Sequence, residues 1–209
     1  MDREQAKPRF KTFTDFLRFL FKGFLDTVGG FLLKMGLTPM SITMIGVVGN
    51  FVSAFFIVRG HIALGGLVML IMTPFDALDG TMARLKSEAS EWGAFVDSVS
   101  DRYSELAILG GLVYYFAARG DVVSTVVTFA AAAGSVLVSY TKARASSLNF
   151  DADTGILTRV ERYLVLGPLL LFNQPVWAVW IIAVLANVTA LQRIWRVRRQ
   201  AHARYPFKK

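Results

Sequence analysis

Four aspartates fall in two short runs of this 209-residue sequence, Asp76 to Arg84 and Gly93 to Asp101. On a helix, Asp76, Asp79, Gly80, Ala83 and Arg84 lie at i, i+3, i+4, i+7 and i+8, which is one face. Gly93, Asp97 and Asp101 lie at i, i+4 and i+8, again one face. A short loop between the runs makes the two helices antiparallel neighbours, so four carboxylates can converge. Carboxylates crowded together in a low-dielectric place raise one another's pKa, and each is costly inside a membrane. Hard divalent cations relieve both problems. Magnesium takes carboxylates together with the phosphate oxygens of a substrate. Gly80, Ala83 and Gly93 keep side chains out of the way of an approaching diphosphate. A single aspartate near a helix end reads as an interfacial cap or ion pair. Four at this spacing, among small residues, read as a metal site with Asp76, Asp79, Asp97 and Asp101 as candidate ligands.

A second set is cationic. Lys142 and Arg144 close one apolar run, Arg159 and Arg162 open the next, and Arg193 lies near the end of the last. If these segments converge beside the aspartates they form a pocket for a phosphate-bearing molecule. The blander reading gives the same residues to membrane orientation and lipid head groups.

The elements that must position both sets are helices in a membrane. Hydrophobic residues make up 54%, mean hydropathy is +0.47 and charged residues are 18%, against about 25% charged in soluble domains. Phe13, Phe16, Leu17, Leu20, Phe21, Phe24 and Leu25 recur at helical spacing. They predict an amphipathic helix over 12–36, lying in the membrane interface or against a partner. Six apolar stretches follow, at roughly 40–58, 62–83, 94–118, 122–145, 160–173 and 176–195. Each is read as a span of a six-helix bundle over 40–198, most of them near the length of about 20 residues that a bilayer requires. No internal repeat is visible, so 1–209 reads as a single all-α domain.

Of the 23 Lys and Arg, 20 fall at one end of these spans and two, Arg59 and Arg119, at the other, with Arg102 inside a span. That asymmetry places both termini and the aspartate end on the cytoplasmic side of the cell membrane. The net charge of +8 raises nucleic acid as a partner. The basic residues instead cluster at the ends of apolar runs, where anionic lipid meets them. The lipid bilayer, not nucleic acid, is the expected partner. There are no cysteines, which excludes disulfides and thiolate metal sites.

The aspartate pattern, D-x2-D-G-x2-A-R-x8-G-x3-D-x3-D, resembles the signature of the CDP-alcohol phosphotransferases, and Asp76, Asp79, Gly80, Ala83, Arg84, Gly93, Asp97 and Asp101 fill every specified position. The resemblance implies Asp76, Asp79 and Asp97 as ligands of Mg²⁺ or Mn²⁺. It implies Asp101 as general base, with a ligand role toward a second ion. Asp79, Gly80, Ala83, Arg84 and Gly93 would then bind the CDP-lipid. Thr38 to Thr43 is similar to the family's T-P-N-x-x-T segment, with Met40 where Asn is usual; Pro39 and Thr43 would line the same site. A homodimer is also implied. Ser139 to Ala145 and the closing Gln192-Arg193 resemble those of phosphatidylinositol-phosphate synthases. The implied reaction is transfer of the phosphatidyl group from CDP-diacylglycerol to a phosphorylated alcohol, inositol phosphate, with release of CMP. Lys142, Arg144, Arg159, Arg162 and Arg193 would bind the acceptor phosphate. Glycerol 3-phosphate as acceptor and a CDP-ether lipid as donor remain alternatives. So do a prenyltransferase, whose aspartate spacings differ, and a carboxylate-based ion transporter, which glycine-broken helices at the midplane would favour.

Overall fold

The computed structural model describes residues 13–87 and 90–204, and among them every regular element is helical. Eight helices follow one another: α1 (Phe13–Lys34), α2 (Pro39–Val58), α3 (Ile62–Met72), α4 (Phe75–Leu85), α5 (Glu91–Ala117), α6 (Val122–Ser147), α7 (Arg159–Leu171) and α8 (Pro175–Arg204).

Their starts are written in capping chemistry. Thr38 is extended, accepts the Ser41 N–H, and is followed by Pro39 in the first turn of α2, where a missing N–H costs nothing. Ser90 accepts the Gly93 N–H at 3.0 Å to open α5. Asp121 accepts the Ser124 N–H at 2.9 Å to open α6. Gly60 and Gly120, at φ +85° and +72°, end the turns after α2 and α5 in the left-handed conformation that glycine adopts without strain.

Among the described residues, four runs are long and apolar enough to cross a membrane: Pro39–Val58, Ile62–Leu85, Val122–Ser147 and Pro175–Arg204. The expected second span is not one straight helix. Thr73 and Pro74 part it into α3 and α4, each of 11 residues. A continuous apolar run hides this break, because proline ends a helix through its ring and lost N–H rather than through hydropathy. α5 has 27 residues but carries Asp97, Asp101, Arg102 and Glu105. α7 has only 13, about 20 Å at 1.5 Å per residue. α8 runs nine residues past the expected end of the last span, to Arg204.

α2 packs on α3, α4 and α5, α6 on α5 and α8, and α7 on α3 and α8. The main core joins Ile57, Met69, Ile108, Leu112, Leu166, Leu170 and Ile182 from five of these helices. Small residues let backbones close in, as expected where lipid replaces water. A Cβ on Gly66 of α3 would sit 2.5 Å from the Leu171 backbone nitrogen of α7. Asn187 of α8 donates to the Ala130 carbonyl of α6 at 3.1 Å and to the Ala183 carbonyl at 2.7 Å.

Outward, Phe51 and Phe55 of α2, Val126 and Phe129 of α6, and Trp177 and Trp180 of α8 are uncovered apolar side chains. A water-soluble monomer rarely presents so much. α1 packs on α4 through Leu25, Val28, Leu32 and Leu33 against Leu78 and Met82, while Leu20, Phe21, Phe24 and Phe31 stay uncovered. The stripe expected on this helix therefore divides between the protein and its surroundings. The side chains of Phe13, Phe16 and Leu17 lie outside the described ones.

Candidate active site

The break at Pro74 determines where the first two aspartates stand. α4 begins at Phe75, so Asp76 falls in its first turn and Asp79 one turn later. Asp79 is 5% exposed and accepts the Thr43 hydroxyl of α2 at 2.7 Å. Gly46, one turn further along α2, makes room for this approach: a Cβ there would meet Phe75 Cβ at 3.5 Å and Asp76 Oδ1 at 3.9 Å. Asp101 of α5 is 8% exposed. Asp97 lies a turn before it, half-buried, and interacts electrostatically with Asp76, Asp79 and Asp101. The two expected faces do meet.

A cation already spans them. The Arg159 guanidinium of α7 donates from Nη2 to Asp76 Oδ2 at 2.6 Å, and its Nη1 lies 2.5 Å from Asp101 Oδ1. Its carbon sits 5.2 Å from the centre of the Tyr163 ring. Arg102 adds a contact to Asp101 at 3.3 Å and donates to Ser139 of α6. With the side chains so placed, no three carboxylates or histidines among the described residues stand around one point. The donor set is nonetheless all hard oxygen, and the guanidinium between Asp76 and Asp101 marks a place that draws positive charge. That chemistry fits a hard divalent ion.

The remaining expected contacts with a CDP-lipid lie around this cluster. Pro39 is the first residue of α2 and Thr43 one turn on. The space before Gly80 is open, since a Cβ would meet only Arg84 Nη1 at 3.6 Å. Arg84 is exposed and donates to Thr81 at 2.8 Å. Ala83 is half-buried between them. At Gly93 a Cβ would meet the capping Ser90 Oγ at 3.2 Å, so its smallness serves the start of α5.

The five expected acceptor cations are placed less uniformly. Arg159 faces the aspartates as described. Arg162 is 1% exposed and paired through Nε and Nη2 with Glu105. Arg193 is buried and donates to the Thr154 and Val138 carbonyls at 2.8 and 2.5 Å. Lys142 is half exposed and pairs with Asp153 at 2.5 Å. Arg144 is exposed and donates to Ser147 at 3.4 Å. Glu105, Asp153, Arg102 and Gly46 join the site without having been expected there. Two of them carried a signal in the sequence: Glu105 continues the i+4 series 93, 97, 101, and Arg102 is the cation that falls inside a span.

Residues 36–195 match the family model described as CDP-alcohol phosphatidyltransferase. The chain belongs to the CDP-alcohol phosphatidyltransferase family. It is 36% identical to a phosphatidylinositol phosphate synthase of Streptomyces avermitilis over 202 residues, covering 89% of this chain and 82% of that one. It is 32% identical to an archaetidylinositol phosphate synthase of Pyrococcus horikoshii, covering 84% and 92%. Among solved structures it resembles the Mycobacterium tuberculosis phosphatidylinositol phosphate synthase with CDP-DAG bound, with a TM-score of 0.77 at 28% identity over 83% of this chain and 92% of that one. The same mycobacterial protein in complex with manganese and citrate gives a TM-score of 0.76 at 27% identity, covering 83% and 88%. The phosphatidyltransferase assignment makes this chain a transferase, which sets the ion-transporter and prenyltransferase alternatives aside.

Proposed function

We propose that this CDP-alcohol phosphatidyltransferase moves the phosphatidyl group of CDP-diacylglycerol onto the hydroxyl of inositol phosphate and releases CMP. The observation that carries the reading is the meeting of the α4 and α5 aspartates with the α7 cation Arg159 at one end of the bundle. The names of the relatives support it: several are phosphatidylinositol phosphate synthases, and a solved one holds CDP-DAG.

Asp76, Asp79 and Asp97, with Asp101 for a second ion, would hold Mg²⁺ or Mn²⁺. When bound, the metal neutralises the pyrophosphate and stabilises charge on the departing CMP. Thr43 holds Asp79 in place by its hydroxyl. Pro39, Gly80, Ala83, Arg84 and Gly93 surround the nucleotide end, with the open space at Gly80 for a phosphate to approach. Asp101 takes the proton of the acceptor hydroxyl as the oxygen attacks the phosphorus that bears the lipid. The bond from that phosphorus to the CMP oxygen breaks, and CMP leaves. Lys142, Arg144, Arg159 and Arg193 are the cations for the acceptor phosphate, which carries nearly two negative charges at neutral pH; Arg162, enclosed and engaged by Glu105 and the Leu157 carbonyl, stands behind Arg159 and does not meet the substrate. For that role Arg159 has to share its guanidinium between the acceptor and the aspartates.

We place the protein in the cell membrane with six spans: the four long apolar runs together with α5 and α7. Both termini and the site face the cytoplasm, in keeping with 20 basic residues at that end against two at the other. α1 lies along the interface, with Phe21, Phe24 and Phe31 in lipid. The working unit is a homodimer. A second reading, archaetidyl transfer from a CDP-ether lipid, is favoured by the likeness to the Pyrococcus protein.

The test is CMP release by the purified protein with CDP-diacylglycerol or its ether analogue, against inositol phosphate, free inositol and glycerol 3-phosphate. The expected result is turnover with inositol phosphate well above the others. Preference for free inositol overturns the assignment of the cations, and preference for glycerol 3-phosphate changes the acceptor.

A further inference from the structure

Two ion pairs stand one turn apart between α5 and α7. The first joins Asp101 to Arg159, with Asp101 Oδ1 and Nη1 2.5 Å apart. The second joins Glu105, one turn further along α5, to Arg162, three residues further along α7. The second is the drier. Arg162 is 1% exposed and Glu105 4%, and both carboxylate oxygens are used, from Nε at 2.5 Å and from Nη2 at 2.9 Å. Arg162 Nη1 also donates to the Leu157 carbonyl at 3.3 Å, which fixes the loop entering α7. The Leu157 N–H in turn donates to Thr189 of α8 at 3.1 Å.

A buried ion pair is seldom explained by stability, because an apolar pair of the same size commonly does as well or better. What two parallel charge-assisted hydrogen bonds supply is placement. α7 packs mainly on α3 and α8, not on α5. The Arg159 and Arg162 side chains therefore tie α7 to the aspartate helix across a gap that the two backbones do not close.

We propose that Glu105 is a positioning residue: it sets the register of α7 against α5, and so the place of the acceptor cations relative to Asp101. It touches neither substrate. This rests on the reading of Arg159 as part of the acceptor side of the site.

The test uses the whole protein in detergent with added lipid, with each substrate varied in turn. Wild-type CMP release with inositol phosphate comes first, and its absence sinks the function reading and this inference with it. With an active wild type, Glu105→Gln is expected to raise the acceptor KM about tenfold, the loss of one charge-assisted contact, while the CDP-lipid KM stays within about twofold. Glu105→Asp should recover part of the acceptor KM. The double variant Glu105→Leu/Arg162→Met leaves no unpaired charge, so its thermal midpoint is expected to return toward wild type while the acceptor KM stays high. It carries the test if Glu105→Gln fails to fold. An unchanged acceptor KM in the double variant, or an equal rise in both KM values in Glu105→Gln, overturns the positioning role and leaves the function reading standing.

Discussion

At the residue scale, the aspartates divide their work by what already holds them. Asp79 is tied to Thr43, and Asp76 and Asp101 to Arg159. The charge of Asp97, one turn before Asp101 on α5, reaches all three. Asp97→Asn keeps its size and removes its charge, so it should abolish CMP release while the protein stays folded and monodisperse. An active variant would put the metal site elsewhere. The cations proposed for the acceptor separate differently. Lys142 is half exposed and bonded to one surface carboxylate, whereas Arg193 satisfies two backbone carbonyls inside the bundle. Lys142→Ala should raise the acceptor KM by the equivalent of about 1–3 kcal/mol with little change in thermal midpoint. Arg193→Ala should raise it and lower the midpoint as well, because the Thr154 carbonyl loses the Arg193 donor and the Val138 carbonyl keeps only its other partners, the Thr141 hydroxyl among them. Unchanged acceptor kinetics in both would remove them from the site. The aspartate motif was legible because spacing alone puts four carboxylates on two faces. The guanidinium partners were not, since Arg159 and Arg162 reach Asp101 and Glu105 across 58 and 57 positions of chain.

At the element scale, caps and small residues shape the bundle. The reading of α2, α5 and α6 came within a few residues of their ends, because apolar length and polar punctuation coincide there. The second span did not, since Pro74 divides an apolar stretch that hydropathy treats as one. That division turns α4 into a separate short helix whose first turn carries Asp76. At the other end of the bundle, the Ser124 hydroxyl and N–H hold the Asp121 carboxyl below the usual carboxylate range. A carboxylate lowered by folding stabilises the fold above its unfolded pKa of about 4. The contribution is lost as pH falls through the lowered value. The midpoint advantage of the wild type over Asp121→Ala, measured in detergent, should therefore be full near neutrality and fade in strong acid. Asp121→Asn, which caps without ionising, should not show that fading. A pH-independent advantage over alanine would mean that the carboxylate is not what caps α6.

At the scale of the whole molecule, the described helices form one bundle with apolar faces outward and Asp76, Asp79, Asp97 and Asp101 gathered toward one end. The charge asymmetry of the sequence agrees with a single buried site at that end. If divalent ions work there, exhaustive chelation should stop CMP release, and Mg²⁺ or Mn²⁺ should restore it. Full turnover without metal would leave the four carboxylates unexplained. In the proposed reaction the lipid-bearing phosphorus is joined to an acceptor that keeps its own phosphate. Supplying the purified protein with CDP-diacylglycerol and inositol phosphate labelled in the phosphate group, and following the label and CMP together, tests this. One CMP is expected for each labelled phosphate that passes into the lipid fraction. Label left in the aqueous phase while CMP accumulates would rule out transfer to the phosphorylated acceptor.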